Sequence, residues 1–307
     1  MRQPGHVVSA RSFTAEELLA ILDRALEMQD VLRRGGSNAL AGKIMAALFF
    51  EPSTRTRLSF EAAMLRLGGQ VISTENAREF SSAIKGETLE DTIRVTAGYA
   101  DAIVLRHYEA GAAARAAGVS TVPVLSAGDG AGEHPTQALL DLFTIRKELG
   151  RVENLTVALV GDLLYGRTVH SLVYALSRFP GNRLVCAAPP VTPLPSDLVQ
   201  YARSSGVAVE VESDLRLAAR RADVVYQTRV QKERFSSEAE YEAARGRYIV
   251  DGDVLAALSP AAVIMHPLPR AGEIAPEVDA DPRAAYFRQS HYGVPVRMAL
   301  LARALQP

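Results

Sequence analysis

Between Ser53 and Arg57 the chain reads Ser53-Thr54-Arg55-Thr56-Arg57, three hydroxyls and two guanidiniums in five consecutive positions. A short apolar run, Ile44 to Phe50, precedes the stretch and closes at Glu51-Pro52. Leu58, Ala62 and Leu65 follow at helical spacing until Gly68-Gly69. A strand–loop–helix unit sets these side chains at a helix N-terminus, where unpaired backbone N–H groups and the positive end of the helix dipole favour an anion. A phosphate needs such a set of convergent donors and fixed positive charge. The competing reading is an N-capped helix with solvated arginines, but Ser53 to Arg57 supply more donors than a cap uses.

Four further stretches carry chemistry, each just past an apolar strand candidate. Gly128-Asp129-Gly130-Ala131-Gly132-Glu133-His134-Pro135-Thr136-Gln137 follows Val122–Leu125 and opens a helix. A lone histidine is more often structural than catalytic. Here His134 and Gln137 sit where open α/β sheets place ligands. Gly161 to Arg167 follows Thr156–Val160 and invites comparison with a dinucleotide-binding loop. It lacks the full G-x-G-x-x-G spacing, and Arg167 stands where a pyrophosphate turn wants glycine. Thr228 to Arg234 follows Val224–Tyr226. Arg229 and Gln231 are two apart, so in extended chain they point the same way and suit a carboxylate, whereas Lys232 and Glu233 fit a solvated loop. In His266-Pro267-Leu268-Pro269-Arg270 two prolines stiffen the loop and leave backbone carbonyls free to accept from a ligand.

Elements to position these loops are readable along the chain. Thr14 and Glu17 form a capping box ahead of Leu18, Leu22 and Ala25 at helical spacing. Strand candidates are Ile44–Phe50, Ala102–Leu105, Val122–Leu125, Thr156–Val160, Leu184–Ala187, Val207–Val211, Val224–Tyr226 and Val263–Met265. Helical segments fall around Leu89–Ala100 and at Thr136–Leu149, Thr168–Ser177, Leu215–Arg221 and Val296–Leu305. Such alternation predicts α/β architecture with parallel sheets buried on both faces. The Thr136–Leu149 helix is placed to join two halves, and the last helix to pack back on the first.

At 307 residues the chain suits two ordinary domains. It is 48% hydrophobic and 22% charged, and 34 Lys plus Arg balance 35 Asp plus Glu to a net charge of −1. No field of one sign marks a nucleic-acid or membrane-surface partner. The single cysteine, Cys186, reads as a small buried residue, and no Cys/His cluster has zinc spacing. The first residues lack the charged-then-apolar pattern of a signal peptide and no apolar run spans a bilayer, so a cytoplasmic location is expected.

Taken in order, Phe49–Arg57, Ser81 with Lys85-Gly86-Glu87-Thr88, Arg106-His107, His134–Gln137, Gly161–His170, Thr228–Arg234 and His266–Arg270 resemble the aspartate transcarbamoylases over nearly the whole chain. The ornithine-specific sister group shares the Ser-Thr-Arg-Thr loop but typically has cysteine in the segments matching His134–Gln137 and His266–Pro269, where this chain has Thr136 and Pro267. The resemblance implies an α/β chain of two doubly wound domains with parallel sheets, aspartate/ornithine carbamoyltransferase-like, with the active site in the cleft. Residues 1–136 with a C-terminal helix, 290–307, would bind carbamoyl phosphate, and residues 137–289 would bind L-aspartate.

The residue roles come from the same resemblance. Ser53, Thr54, Arg55, Thr56 and Arg106 would hold the phosphate, and Thr56, Arg106 and His134 would donate to the carbonyl oxygen. Gln137 and the carbonyls of Pro267 and Leu268 would hold the carbamoyl nitrogen. Arg167 would pair with the α-carboxylate of aspartate, and Arg229, Gln231 and Lys85 would serve its side-chain carboxylate. Ser81 and Lys85 would reach a neighbouring subunit's site, making a homotrimer the minimum active unit. Glu51, Arg167 and Arg234 match residues used for closure. No metal or organic cofactor is implied. Association with regulatory chains or other enzymes of pyrimidine biosynthesis is left open. Leu164 departs from the family, which usually has a basic residue there; an altered acceptor or a catalytically silent homologue are the competing readings.

Overall fold

The computed structural model describes residues 5–77, 86–230, 237, 238, 241 and 248–306. The chain separates into two compact units, Met1–Leu140 with Tyr292–Pro307, and Asp141–His291.

Four parallel strands build the first unit: β1 (Ile44–Phe49), β2 (Gln70–Glu75), β3 (Ala102–His107) and β4 (Val124–Asp129), in the order β2-β1-β3-β4. The helices are α1 (Ala15–Arg33), α2 (Thr54–Arg66), α3 (Leu89–Ala97), α4 (Ala112–Val119) and the start of α5 (Pro135–Leu149). The box ahead of α1 is present: Glu17 N–H donates to Thr14 Oγ1 at 3.2 Å and Thr14 N–H to Glu17 Oε2 at 3.1 Å. Both faces of β1 and β3 are covered, so alternation is lost and each reads as a continuous apolar run. Ala46, Leu48, Ile103 and Leu105 pack with Ile93 and Ala116 in one of the resulting cores.

The second unit has five parallel strands: β5 (Thr156–Val160), β6 (Arg183–Ala187), β7 (Ala208–Val211), β8 (Val224–Gln227) and β9 (Val263–Met265), in the order β7-β6-β5-β8-β9. The helices α6 (Arg167–Leu176), α7 (Ser196–Ser204), α8 (Leu215–Arg221), α9 (Gly252–Ala257) and α10 (Tyr286–Leu305) complete it, with the tail of α10 counted in the first unit. In each sheet the first strand of the unit lies centrally and the winding direction reverses beside it, at β1/β3 and at β5/β8. Two doubly wound parallel sheets are therefore observed, as the strand pattern predicts.

Three elements differ from the sequence expectation. Helix α2 carries Leu58 and Leu65, but both are exposed, at 51% and 61%. It buries Thr56, Phe60, Ala63 and Met64 instead, because the stripe that carries Phe60 and Met64 takes the inner side. Helix α10 begins at Tyr286, ten residues before the expected Val296, and runs through Pro295. Proline removes one helical hydrogen bond, but the following turn is held by burial of Val296, Met298 and Ala299 and by Arg297 over the Phe60 ring at 5.0 Å. Strand β2 is an edge strand of mixed polarity, mostly exposed, and carries no apolar run to announce it. Cys186 is buried as expected, and burial pushes its thiol up to about 12, which makes it inert at neutral pH.

Candidate active site

In the first unit the candidate residues stand at the carboxyl ends of three adjacent strands. After β1, Ser53 is the N-cap of α2, yet its hydroxyl makes no cap hydrogen bond. Thr54, Arg55 and Thr56 form the first turn, with Thr56 buried. Among the described residues Arg55 has no hydrogen-bonded or ion-paired partner, and crowding around its guanidinium lowers its pKa through desolvation. A cation without a carboxylate, set beside free helix N–H groups, is a binding arrangement for an anion. Arg57 differs: it lies 3.3 Å from Glu61 Oε1 and 2.8 Å from Glu75 Oε2, so it is committed to carboxylates of α2 and β2.

Arg106 is at the end of β3, in register with Phe49 of β1, and is buried. Its Nη1 donates to the Ala127 carbonyl at 3.0 Å and its Nη2 lies 3.3 Å from Glu51 Oε2. These contacts fix the guanidinium at the β1/β3 reversal, where open α/β sheets bind ligands. His134 and Gln137, both buried, follow β4. The His134 Nδ1 lies 3.5 Å from Thr136 Oγ1, and the Gln137 N–H donates to the His134 carbonyl at 2.9 Å.

The loop that presents His134 is wound around Asp129. Its Oδ1 accepts from the Glu133 N–H at 2.8 Å and its Oδ2 from the Gly111 N–H at 2.9 Å. Gly130 has φ of 51°, and a side chain there would run into the Tyr108 carbonyl. Glu133 is held from the N-terminal segment: Ser9 Oγ donates at 2.6 Å and the Ala10 N–H at 2.7 Å. Burial raises its pKa despite these two donors.

The second unit repeats the plan at β5, β8 and β9. Arg167 opens α6 behind the loop 161–166, where the Tyr165 N–H donates to Asp162 Oδ1 at 2.9 Å. Gly161 has φ of 99°, and an added Cβ would strike the Thr228 carbonyl, so the β5 and β8 loops approach as closely as backbone allows. Thr228 Oγ1 donates to the Val160 carbonyl at 2.8 Å and fixes the chain one residue before Arg229. Pro267 and Leu268, both half-buried, follow β9. Ser81, Lys85, Gln231 and Arg234 lie outside the described residues. Among the described residues no group of three or more His, Cys, Asp or Glu is placed to hold a metal ion. No helix among them is long and apolar enough to cross a membrane.

This geometry, anion-ready loops at the reversals of two doubly wound sheets, agrees with comparisons across known proteins. The carbamoyl-P binding domain model of the aspartate/ornithine carbamoyltransferases matches residues 5–147, and the Asp/Orn binding domain model matches residues 153–304. The chain belongs to the aspartate/ornithine carbamoyltransferase family. Among this family's members, a chloroplastic aspartate carbamoyltransferase of Arabidopsis thaliana is 56% identical, over 96% of this chain and 76% of its own length. An aspartate carbamoyltransferase catalytic subunit of Methanocella arvoryzae is 52% identical, over 97% of this chain and 96% of its own. The aspartate transcarbamoylase of Trypanosoma cruzi, solved with carbamoyl aspartate and phosphate, superposes with a TM-score of 0.93 at 43% identity, covering 99% of this chain and 97% of that one. The same enzyme has been solved with carbamoyl phosphate and aspartate.

Several polar residues that shape these carbamoyltransferase loops escaped sequence reasoning. Glu133 with its Ser9/Ala10 clamp is one. Another is a buried set on the second unit, in which Tyr226 Oη donates to Asp141 Oδ2 at 2.7 Å and Gln289 Nε2 to Asp141 Oδ1 at 2.7 Å. Asp141 between Leu140 and Leu142 was the available signal: a carboxylate inside an apolar helix face must find donors.

Proposed function

We propose that this chain transfers the carbamoyl group of carbamoyl phosphate to the amino group of L-aspartate, giving N-carbamoyl-L-aspartate and phosphate, an early step of pyrimidine biosynthesis. The observation that carries this reading is Arg55, without a partner among the described residues, beside the uncapped Ser53 at the start of α2, which follows β1, the strand paired with the one that ends in Arg106. Ser53, Thr54, Arg55, Thr56 and Arg106 hold the phosphate. Thr56, Arg106 and His134 donate to the carbamoyl oxygen, and Gln137 with the Pro267 and Leu268 carbonyls takes the carbamoyl nitrogen. Arg167 pairs with the α-carboxylate of aspartate; Arg229, Gln231 and Lys85 serve the side-chain carboxylate, with Ser81 beside them.

The chemistry follows from those roles. The unprotonated amine of aspartate attacks the carbamoyl carbon and forms the new C–N bond. Negative charge gathers on the carbonyl oxygen, where fixed donors stabilise it more than they stabilise the reactant. Collapse breaks the C–O bond to phosphate, and the leaving phosphate accepts the amine proton, so no separate side-chain base is needed.

The test is an acceptor comparison: carbamoyl phosphate with L-aspartate, and separately with L-ornithine, both phosphate and carbamoylated product being quantified. N-carbamoyl-aspartate alone is expected. Citrulline alone would place the chain on the ornithine branch, and no product from folded protein would favour the silent homologue or an acceptor altered through Leu164.

The assembly proposed is a homotrimer in the cytoplasm; the names of the plant relatives give the chloroplast for theirs. Support for self-association comes from Leu58 and Leu65, exposed on α2, and from the edge strand β2, whose Ile72 is also exposed. Apolar side chains beside an unpaired strand edge call for a cover. If Lys85 serves a neighbour's site, mixing an Arg55→Ala chain with a Lys85→Ala chain is expected to restore activity in roughly a quarter of the sites of a random one-to-one mixture. No recovery after subunit exchange verified by mass would refute shared sites.

A further inference from the structure

The loop after β9 is stapled by a buried pair of side chains, His266 and Glu273. His266, 2% exposed, is the first residue past the strand. Its Nδ1 accepts the Leu268 N–H at 2.7 Å, and its Nε2 lies 2.7 Å from Glu273 Oε1. A nitrogen that accepts from a backbone N–H carries no proton, so the hydrogen of this neutral imidazole is on Nε2 and donates to the carboxylate. The other carboxylate oxygen, Glu273 Oε2, accepts from the Ala271 N–H at 2.8 Å. Desolvation works against the charge on Glu273, but the hydrogen bonds from His266 and the backbone outweigh it and its pKa is lowered. The backbone N–H of His266 is itself held, by Gln289 Oε1 at 2.9 Å. Glu273 is anchored from outside the loop, its carbonyl accepting from the Val250 N–H at 3.0 Å.

These bonds bear on one conformation. Leu268 has φ of 54°, the left-handed region that a branched side chain seldom occupies. A residue held there needs surroundings that over-determine it. The bond from its own N–H to His266 is one contact that holds it. The turn it holds carries the carbonyls of Pro267 and Leu268.

We propose that His266 and Glu273 are positioning residues for carbamoyl phosphate: Glu273 selects the His266 tautomer, and the bare Nδ1 locks the turn whose carbonyls accept from the carbamoyl NH2. The proposal rests on the carbamoyl-transfer reading. It gives a feature of substrate recognition to two side chains that touch no substrate. Glutamate at position 273 serves as the acceptor that orients the ring, much as carboxylates orient imidazoles elsewhere.

The test compares two double variants, His266→Ala/Glu273→Gln and His266→Asn/Glu273→Gln. Both remove the buried charge, so neither is left with an unpaired carboxylate. They differ in one respect: asparagine can present Oδ1 where Nδ1 stood and accept the Leu268 N–H. The alanine form is expected to raise the KM for carbamoyl phosphate by about tenfold, the worth of a hydrogen bond at the upper end of the usual range. The asparagine form is expected to recover most of that loss, with the KM for aspartate changed less in both. Thermal unfolding is measured alongside. A carbamoyl phosphate KM unchanged in the alanine form, or raised equally in both forms, would overturn the proposal and leave the pair a structural role. Absence of N-carbamoyl-aspartate from the unmodified chain would instead overturn the reading on which it rests.

Discussion

Replacing Arg55 with alanine is expected to lower kcat by about a thousandfold, with the folded state intact. The effect has two sources. Arg55 is an exposed residue of the first turn of α2 and has no hydrogen-bonded or ion-paired partner among the described residues, so its removal breaks no such bond to them and stability should be nearly unchanged. The phosphate of carbamoyl phosphate, in contrast, loses a charge-assisted donor at the point where negative charge is delivered to the leaving group. Arg106 does not compensate, because it is already fixed between the Ala127 carbonyl and Glu51. Nor does Arg57, which is paired with Glu61 and Glu75. The measurement is steady-state phosphate release with saturating substrates, with thermal unfolding as the control. Arg57→Ala makes the informative contrast: it should cost stability more than turnover. Unchanged turnover in Arg55→Ala would remove the phosphate-site assignment.

That contrast shows where sequence reading succeeds and where it stops. The run Ser53 to Arg57 advertises a donor-rich helix start, and the structure places it after β1 as expected. Composition cannot say which of two arginines is committed to neighbouring carboxylates. The choice depends on Glu75, eighteen residues further along on β2, a strand with no apolar run to reveal it. Strands β5 and β9 were readable to the residue because buried parallel strands announce themselves as short apolar runs. The amphipathic α2 was readable as a helix but not in its orientation, since Leu58 and Leu65 compete with Phe60 and Met64 for the inner face.

Long-range polar contacts were the least legible part. His266 could be singled out from its neighbours in sequence, but its partners Glu273 and Gln289 are brought to it by the loop and by α10. The onset of α10 itself was hidden by Pro295, which argues for a break that tertiary packing overrides. Motifs of one to five residues were legible because each is local. Their precise aim depends on neighbours distant in sequence.

Replacing Arg167 with leucine is expected to reduce kcat/KM for L-aspartate by about a hundredfold, mostly through KM, while the KM for carbamoyl phosphate stays within about twofold. A guanidinium–carboxylate pair is worth about 1.5–3 kcal/mol where water is excluded, and a ligand carboxylate at a helix start gains further from the dipole. Arg167 occupies such a start: it opens α6, behind Gly166, on a loop pinned by Asp162 and packed backbone to backbone against Thr228. These loop contacts do not use the Arg167 side chain, so the variant should lose the ion pair to aspartate and keep them. Arg229, one residue past Thr228 on the adjacent strand's loop, remains to bind the other carboxylate. Aspartate should then bind by one end, with its amine poorly aimed, and part of the loss should appear in kcat as well. Arg167→Lys should recover only a fraction, because an ammonium supplies charge without the two-pronged fit to a carboxylate. A variant whose aspartate KM moved less than twofold would take Arg167 out of the acceptor site and shift attention to Arg229 alone.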